Sequence, residues 1–255
     1  MKQIKYTLLV LCLSTLMSNR TLKAEDDLSV GASADFLSKY VWRGQNLVDD
    51  SVLQPGAYVS YKDITASFWG NLDLTDENGH NGEFSEIDLT LDYSGQVPGT
   101  DLVSYSLGVI NYDFPVSRGG KDTWEIYWGF SLDVLTSPSV TVYHDVYEVD
   151  GTYVSFGIGH SFEDVIELDQ DAGLGVDISA GLGWGSGSYN KFYWGPDSKE
   201  LNDLTLSAAL PFDGAGFTIT PSLNYITLIS DDIRSPNTYG SNDILFVGVS
   251  LSKEF

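Results

Sequence analysis

The chain has 255 residues, with 36 acidic side chains against 13 basic ones and a formal net charge of −23 at pH 7. This balance excludes nucleic acid as a natural partner, because binding phosphate needs a basic surface. A single cysteine, Cys12, provides neither a disulfide framework nor a thiolate metal site, so packing and backbone hydrogen bonds must hold the fold.

Lys2 and Lys5 precede an apolar run from Tyr6 to Met17, about twelve residues and too short for a spanning helix of about 20. Residues 1–24 therefore read as a secretory signal. Cleavage is expected after Ala24, within Leu22-Lys23-Ala24, where the small final residue fits and the bulky Leu22 is not ideal. Leu11 stands directly before Cys12, where lipidation needs a small residue. Loss of the signal removes Cys12 together with Lys2, Lys5, Arg20 and Lys23, and leaves nine basic residues against 36 acidic ones.

Residues 25–255 show no sustained 3.6-residue apolar period. Two-residue alternation recurs instead, in segments of about ten residues divided by Gly, Pro, Asn and Asp clusters. In Trp124, Ile126, Trp128, Phe130 and Leu132 every second residue is large and apolar, and between them stand Glu125, Tyr127, Gly129 and Ser131. The same split separates Ile87, Leu89, Leu91 and Tyr93 from Glu86, Asp88, Thr90 and Asp92, and Leu174, Val176, Ile178, Ala180, Leu182 and Trp184 from the small and polar residues between them. One face meets lipid and the other a polar interior, which is the pattern of transmembrane strands.

About twelve such segments run in order: 28–42, 52–61, 64–74, 84–94, 102–113, 123–133, 139–148, 152–162, 173–184, 202–212, 217–228 and 243–255. The count is even, as bacterial single-chain barrels require, and the expected fold is all-β, a closed antiparallel transmembrane β-barrel. Long connections (43–51, 75–83, 114–122, 185–201, 229–242) alternate with short ones (62–63, 134–138, 213–216), so the long set faces outward if both termini are periplasmic. Residues 149–151 are too short and 163–172 too long for this scheme. The last segment alternates through Leu245, Val247, Val249 and Leu251 up to a terminal Phe255, the form of signal read by the outer-membrane barrel assembly machinery. Tyr40, Trp42, Tyr61, Tyr93, Tyr112 and Phe212 fall at segment ends and are expected in the aromatic girdles at headgroup level.

The stretch Ser38-Lys39-Tyr40-Val41-Trp42-Arg43-Gly44, followed by Gln54-Pro55-Gly56 and by Ala66-Ser67-Phe68-Trp69-Gly70-Asn71, resembles the TorF-type porin family in its Tyr-x-x-Arg-Gly motif, its Gln/Pro-containing second strand and its Trp-bearing third strand. The resemblance covers roughly residues 36 to 74, and it implies an outer-membrane barrel with pore activity.

If the more apolar set of each strand faces lipid, Asp35, Lys39, Arg43, Asp73, Glu86, Asp88, Asp92, Glu125, Asp145, Asp177 and Asp203 point inward as lumen-lining candidates. A basic charge on lipid would cost roughly 2–4 kcal/mol at midplane, and an acid less. Two bases do not neutralise nine acids, so the lumen is expected to be wet and negative and to favour cations. Lys39 and Arg43 are expected on one face of strand 1, about 13 Å apart. There they either brace the wall by pairing with acids such as Asp88 or Asp92 or form a filter of mixed sign.

These readings point to a channel for small polar solutes in the bacterial outer membrane, in contact with lipid and lipopolysaccharide. No catalytic residue, cofactor or resident metal is assigned. An outer-membrane barrel enzyme is the first alternative, yet its candidates are His80 in a polar loop, His144 on an outward set and His160 near the inner rim, none within a motif of barrel hydrolases. The other alternative is a non-conducting barrel. It would use Asp49-Asp50, Asp76-Glu77 and Asp231-Asp232 as oxygen donors for cations bridging lipopolysaccharide, although their spacing matches no 12-residue calcium loop.

Overall fold

In the computed structural model the described residues are 28–117, 122–169 and 172–255; the segment expected to be a signal lies outside them. The chain forms a closed antiparallel barrel of 12 strands. These are β1 (Leu28–Leu37), β4 (Val52–Tyr61), β5 (Ile64–Asp73), β6 (Phe84–Gln96), β7 (Val103–Asp113), β8 (Thr123–Leu132), β9 (Ser139–Asp145), β10 (Thr152–Asp169), β11 (Ala172–Gly185), β12 (Glu200–Ala209), β14 (Phe217–Leu228) and β15 (Asp243–Glu254). Each pairs with the next barrel strand along the chain, and β15 closes on β1 through a register that includes Gly31 with Glu254 and Phe36 with Val249. Closure leaves no open sheet edge, the condition for a sheet to survive in hydrocarbon. Among the described residues no helix is long and apolar enough to cross a membrane.

The barrel is inside-out relative to a water-soluble protein. On β8, Trp128 is 47% exposed while its neighbour Tyr127 is 2% exposed. Leu89, Leu91, Ile126, Phe130, Ile178, Leu245 and Val247 likewise stand out from the wall, and Glu86, Asp88, Asp92 and Glu125 are buried on the other face. Small residues on the inner face let aromatic rings lie flat across the neighbouring strand. Gly108 of β7 is covered by the Tyr127 ring, and a Cβ there would meet ring atoms at 2.5–2.6 Å. Large side chains at such positions would exceed the space that close packing leaves.

Several of the expected segments end elsewhere, among them the seventh, which stops at Asp145. The first stops at Leu37, because the Ser38 N–H donates to the Val247 carbonyl (2.9 Å) while the Ser38 hydroxyl accepts from the Val247 N–H (3.1 Å), and the chain then turns off the wall. The region 163–172 is strand as far as it is described: β10 and β11 continue as a ribbon, with register shifts between Phe162 and Ile166 and between Glu167 and Asp169. The tenth segment ends at Ala209, and a short strand, β13 (Phe212–Gly214), pairs with both β11 and β14 beyond it. The tight connection between β9 and β10 also has a cause. The Asp145 carboxylate accepts the N–H groups of Tyr147, Glu148 and Val149 at 2.9–3.0 Å and so closes that turn itself.

Two elements lie inside the long connections that gather at one end, the loop end. Helix α1 (Gly187–Tyr193) is capped by Ser186, and the four-residue α2 (Asp231–Arg234) by Ser230. Between β1 and β4 the chain makes a hairpin of β2 (Tyr40–Trp42) and β3 (Gln45–Val48), which forms a separate two-stranded sheet. Its Tyr40, Trp42 and Val48 join Tyr112, Tyr127, Tyr143, Tyr153, Tyr189, Trp194 and Leu228 in an apolar core within the barrel. The girdle expectation therefore fails for Tyr40, Trp42 and Tyr112, which are buried in this core, whereas Tyr61 and Tyr93 stand exposed near the opposite, turn end.

Candidate functional site

The site is the lumen where hairpin β2–β3 crosses it. Its turn is Arg43-Gly44, with φ 48° and 83°, and two positive φ values at the centre of a two-residue turn are those of a type I′ hairpin. For a non-glycine residue this conformation costs about 1–2 kcal/mol. Gly44 is needed for space as well: a Cβ there would meet Leu228 Cδ2 at 2.7 Å and Asp203 Cβ at 3.0 Å. The turn thus abuts β12 and β14, on the far side of the barrel from Glu86.

From that turn the Arg43 side chain reaches β8. Nη1 donates to Glu125 Oε1 and Nη2 to Glu125 Oε2, each at 2.7 Å, in a bidentate pair with both partners buried. The guanidinium lies 4.4 Å from the ring centroids of Trp42 and Tyr143 and 4.6 Å from that of Tyr153. Stacked rings and a carboxylate replace the water that this cation loses. Arg43 was expected on strand 1; it stands instead at a hairpin tip, and its acid is Glu125 and not Asp88 or Asp92. Lys39 is a greater departure. It pairs with Asp49 at the hairpin base, half-exposed, and with Asn46 it holds the Asp49 carboxyl below the usual carboxylate range.

The remaining candidates divide by their partners. Tyr40 donates to Glu86 (2.8 Å) and ties the hairpin to β6, while Tyr112 donates to Glu125 (2.8 Å) and Tyr153 to Asp203 (2.9 Å) between strands of the wall itself. Asp92 accepts from Tyr127 (2.6 Å) and Ser106 (3.0 Å), further from the loop end. Asp73 accepts from Asn71 and Ser85, within a wall network that Gln54 extends. Asp145 is engaged by Thr123 and by its own turn, at the rim. Asp35 and Asp177 are half-buried, beside Ser250 and Ser161 respectively. The arrangement brings Glu86, Asp88, Glu125 and Asp203 together around Arg43 and leaves Asp35, Lys39, Asp73, Asp145 and Asp177 apart from it.

The sequence reading missed the tyrosines and α1. Tyr189 and Tyr193 pack on Tyr153 and Trp42 with ring centroids 5.3 Å apart in each pair, and Asn190 bridges to the carbonyls of Gly185 and Ser198. The signal available was the aromatic residues of Tyr189, Phe192, Tyr193 and Trp194 in a long loop, which a solvated loop does not need. Toward the turn end the inner face changes to hydroxyls and glycines, with Ser33, Ser94, Ser155, Ser161, Ser179 and Ser222 only partly covered. Among the described residues no group of three or more metal-ligating side chains converges, and Asp231 and Asp232 form the first turn of α2.

No protein-family model matches this sequence, and no curated protein is similar to it. Solved structures do match. LpxR from Salmonella typhimurium superposes with a TM-score of 0.52 at 11% identity, over 88% of this chain and 99% of that one. The NanC porin gives 0.51 at 11% identity, over 88% and 98%. The KdgM porin gives 0.49 at 9% identity, over 89% and 99%. NanC is described as a porin, and at 11% identity these likenesses carry the fold and not the chemistry. This chain has the fold of the bacterial outer-membrane barrels.

Proposed function

We propose that this chain is a porin-like channel of the bacterial outer membrane that passes small polar solutes, cations before anions, through a lumen narrowed at its loop end by hairpin β2–β3. One observation carries the reading: among the described residues the inner face buries Asp73, Glu86, Asp88, Asp92, Glu125, Asp145 and Asp203 against a single buried base, Arg43. A wall so charged attracts cations and repels anions. The resemblance of residues 36 to 74 to TorF-type porins agrees with it. A non-enzymatic role is proposed because none of the three histidines faces the lumen: His80 lies in the β5–β6 loop, while His144 and His160 sit in register with the lipid-facing Ile126 and Ile178.

Reversal potentials across a planar bilayer under a salt gradient test the proposal. The wild type is expected to be cation-selective, with a preference that fades as salt approaches 1 M and the Debye length shrinks to about 3 Å. The triple variant Glu86→Gln, Asp88→Asn, Asp92→Asn is expected to lose much of that preference, and Asp49→Asn with Asp50→Asn to change conductance little, since bulk water screens them. Anion selectivity, or an unchanged triple variant, would overturn it.

For its route into the membrane, the proposed partner is the barrel assembly machinery, reading the terminal aromatic residue. Phe255 is 74% exposed and keeps its strand position through its N–H to the Val30 carbonyl (2.9 Å). Deleting Phe255 or replacing it by Asp should lower insertion in cells several-fold more than Lys253→Gln, as measured by outer-membrane yield; equal yields would count against this role.

A further inference from the structure

Asp88 differs from every other buried acid of the hairpin layer. Glu86 is held by Tyr40, Glu125 by Arg43 and Tyr112, Asp203 by Tyr153, and Asp92 by Tyr127 and Ser106. Asp88 is 3% exposed and points inward, and neither of its carboxylate oxygens has a hydrogen-bond partner. Its charged neighbours are Glu86, Glu125 and Arg43, three carboxylates in all against one guanidinium. That guanidinium is already spent on Glu125 through both terminal nitrogens. A buried carboxylate with no hydrogen-bond donor, whose one cationic neighbour is already paired, is strongly unfavourable as a bare anion, and a positive charge taken up from solution relieves it.

We infer that Asp88 is the binding station for one permeant monovalent cation, held beside Glu86 and Glu125 at the layer where the hairpin narrows the lumen. The inference rests on the channel reading for the word permeant, but the site itself does not need conduction. A divalent ion is disfavoured because it needs a converging set of oxygens, and no three acidic or histidine side chains converge at ligand distance among the described residues. One carboxylate completed by water makes a weaker site, which an ion in transit must also be able to leave.

The test is thermal unfolding of the refolded full-length barrel in detergent at pH 7 and fixed ionic strength, with K+ replacing N-methyl-D-glucamine. The wild-type Tm should rise with K+, by roughly 3 °C once K+ exceeds its dissociation constant about tenfold. Asp88→Asn should abolish the rise, and its Tm without K+ should exceed that of the wild type because an unpaired charge is gone. Asp88→Ser is the second variant, should the amide fail to fold, and Asp92→Asn should keep the rise. A wild-type Tm insensitive to K+, as when a proton alone occupies Asp88, would overturn the site, and so would an equal rise in Asp88→Asn. Reversal potentials separate this outcome from the channel reading. A cation-selective pore with no Asp88-dependent K+ effect removes the site and leaves the channel, whereas an Asp88-dependent Tm rise in a barrel that does not conduct supports the site and removes the channel.

Discussion

Replacing Arg43 by alanine is expected to raise single-barrel conductance several-fold and to destabilise the barrel by about 3–5 kcal/mol. Two consequences of one cut are involved. The hairpin loses the group that fastens its tip to β8, through the two 2.7 Å bonds to Glu125, and Glu125 is left as a buried charge with Tyr112 as its remaining hydrogen-bond donor. Arg43→Lys keeps the charge but not the planar fork or the stacking on Trp42, Tyr143 and Tyr153, so it should fall between wild type and alanine on both measures. The double variant Arg43→Met, Glu125→Leu separates the two effects. With neither charge buried, stability in urea titrations should return most of the way, while the tip stays unfastened from β8 by any ion pair and conductance remains raised. A wild-type conductance in Arg43→Ala would show that the hairpin does not set the width of the path.

The barrel was legible in the sequence because lipid and lumen impose opposite chemistry on alternate residues. Trp124 to Leu132 could take no other arrangement without placing Glu125 in hydrocarbon, and its β8 limits, Thr123–Leu132, agree closely with the expected segment. Where that constraint lapses, legibility lapses with it. Residues 163–169 continue β10, yet Glu163, Asp164, Glu167 and Asp169 read as loop, because a two-stranded ribbon past the membrane wall is not bound to an apolar outer face. The hairpin was hidden for a related reason. Tyr40-Val41-Trp42 alternates as well as any wall strand, and only the Arg43-Gly44 pair, which here takes the two positive φ values of a tight turn, marks where the chain folds back. Which face of a wall strand turns inward was readable from its alternation, but the places of Lys39 and Arg43, off the wall, were not. Nor was partnership, since the donors to Glu86, Glu125 and Asp203 come from tyrosines 46, 13 and 50 residues away in sequence.

Two adjacent positions on β6 should respond in opposite ways to a change of charge. Leu91 is 52% exposed on the outer face and Asp92 is 5% exposed on the inner one, and both lie near the middle of a strand running from Phe84 to Gln96. Leu91→Arg puts a guanidinium into the hydrocarbon and should cost about 2–4 kcal/mol in folding from urea into lipid vesicles. Asp92→Asn removes a charge from the lumen, where the new amide oxygen still accepts from Tyr127 and Ser106; its cost should stay near 1 kcal/mol, the difference between a charged and a neutral acceptor. In detergent the contrast should shrink, because a micelle lets an arginine head reach water more easily than a bilayer core does. If Leu91→Arg folds into vesicles as well as the wild type, that face does not meet lipid. The inside-out distribution on which the channel reading rests would then need another explanation, since the same alternation that exposes Leu91 is what turns Asp88 and Asp92 inward.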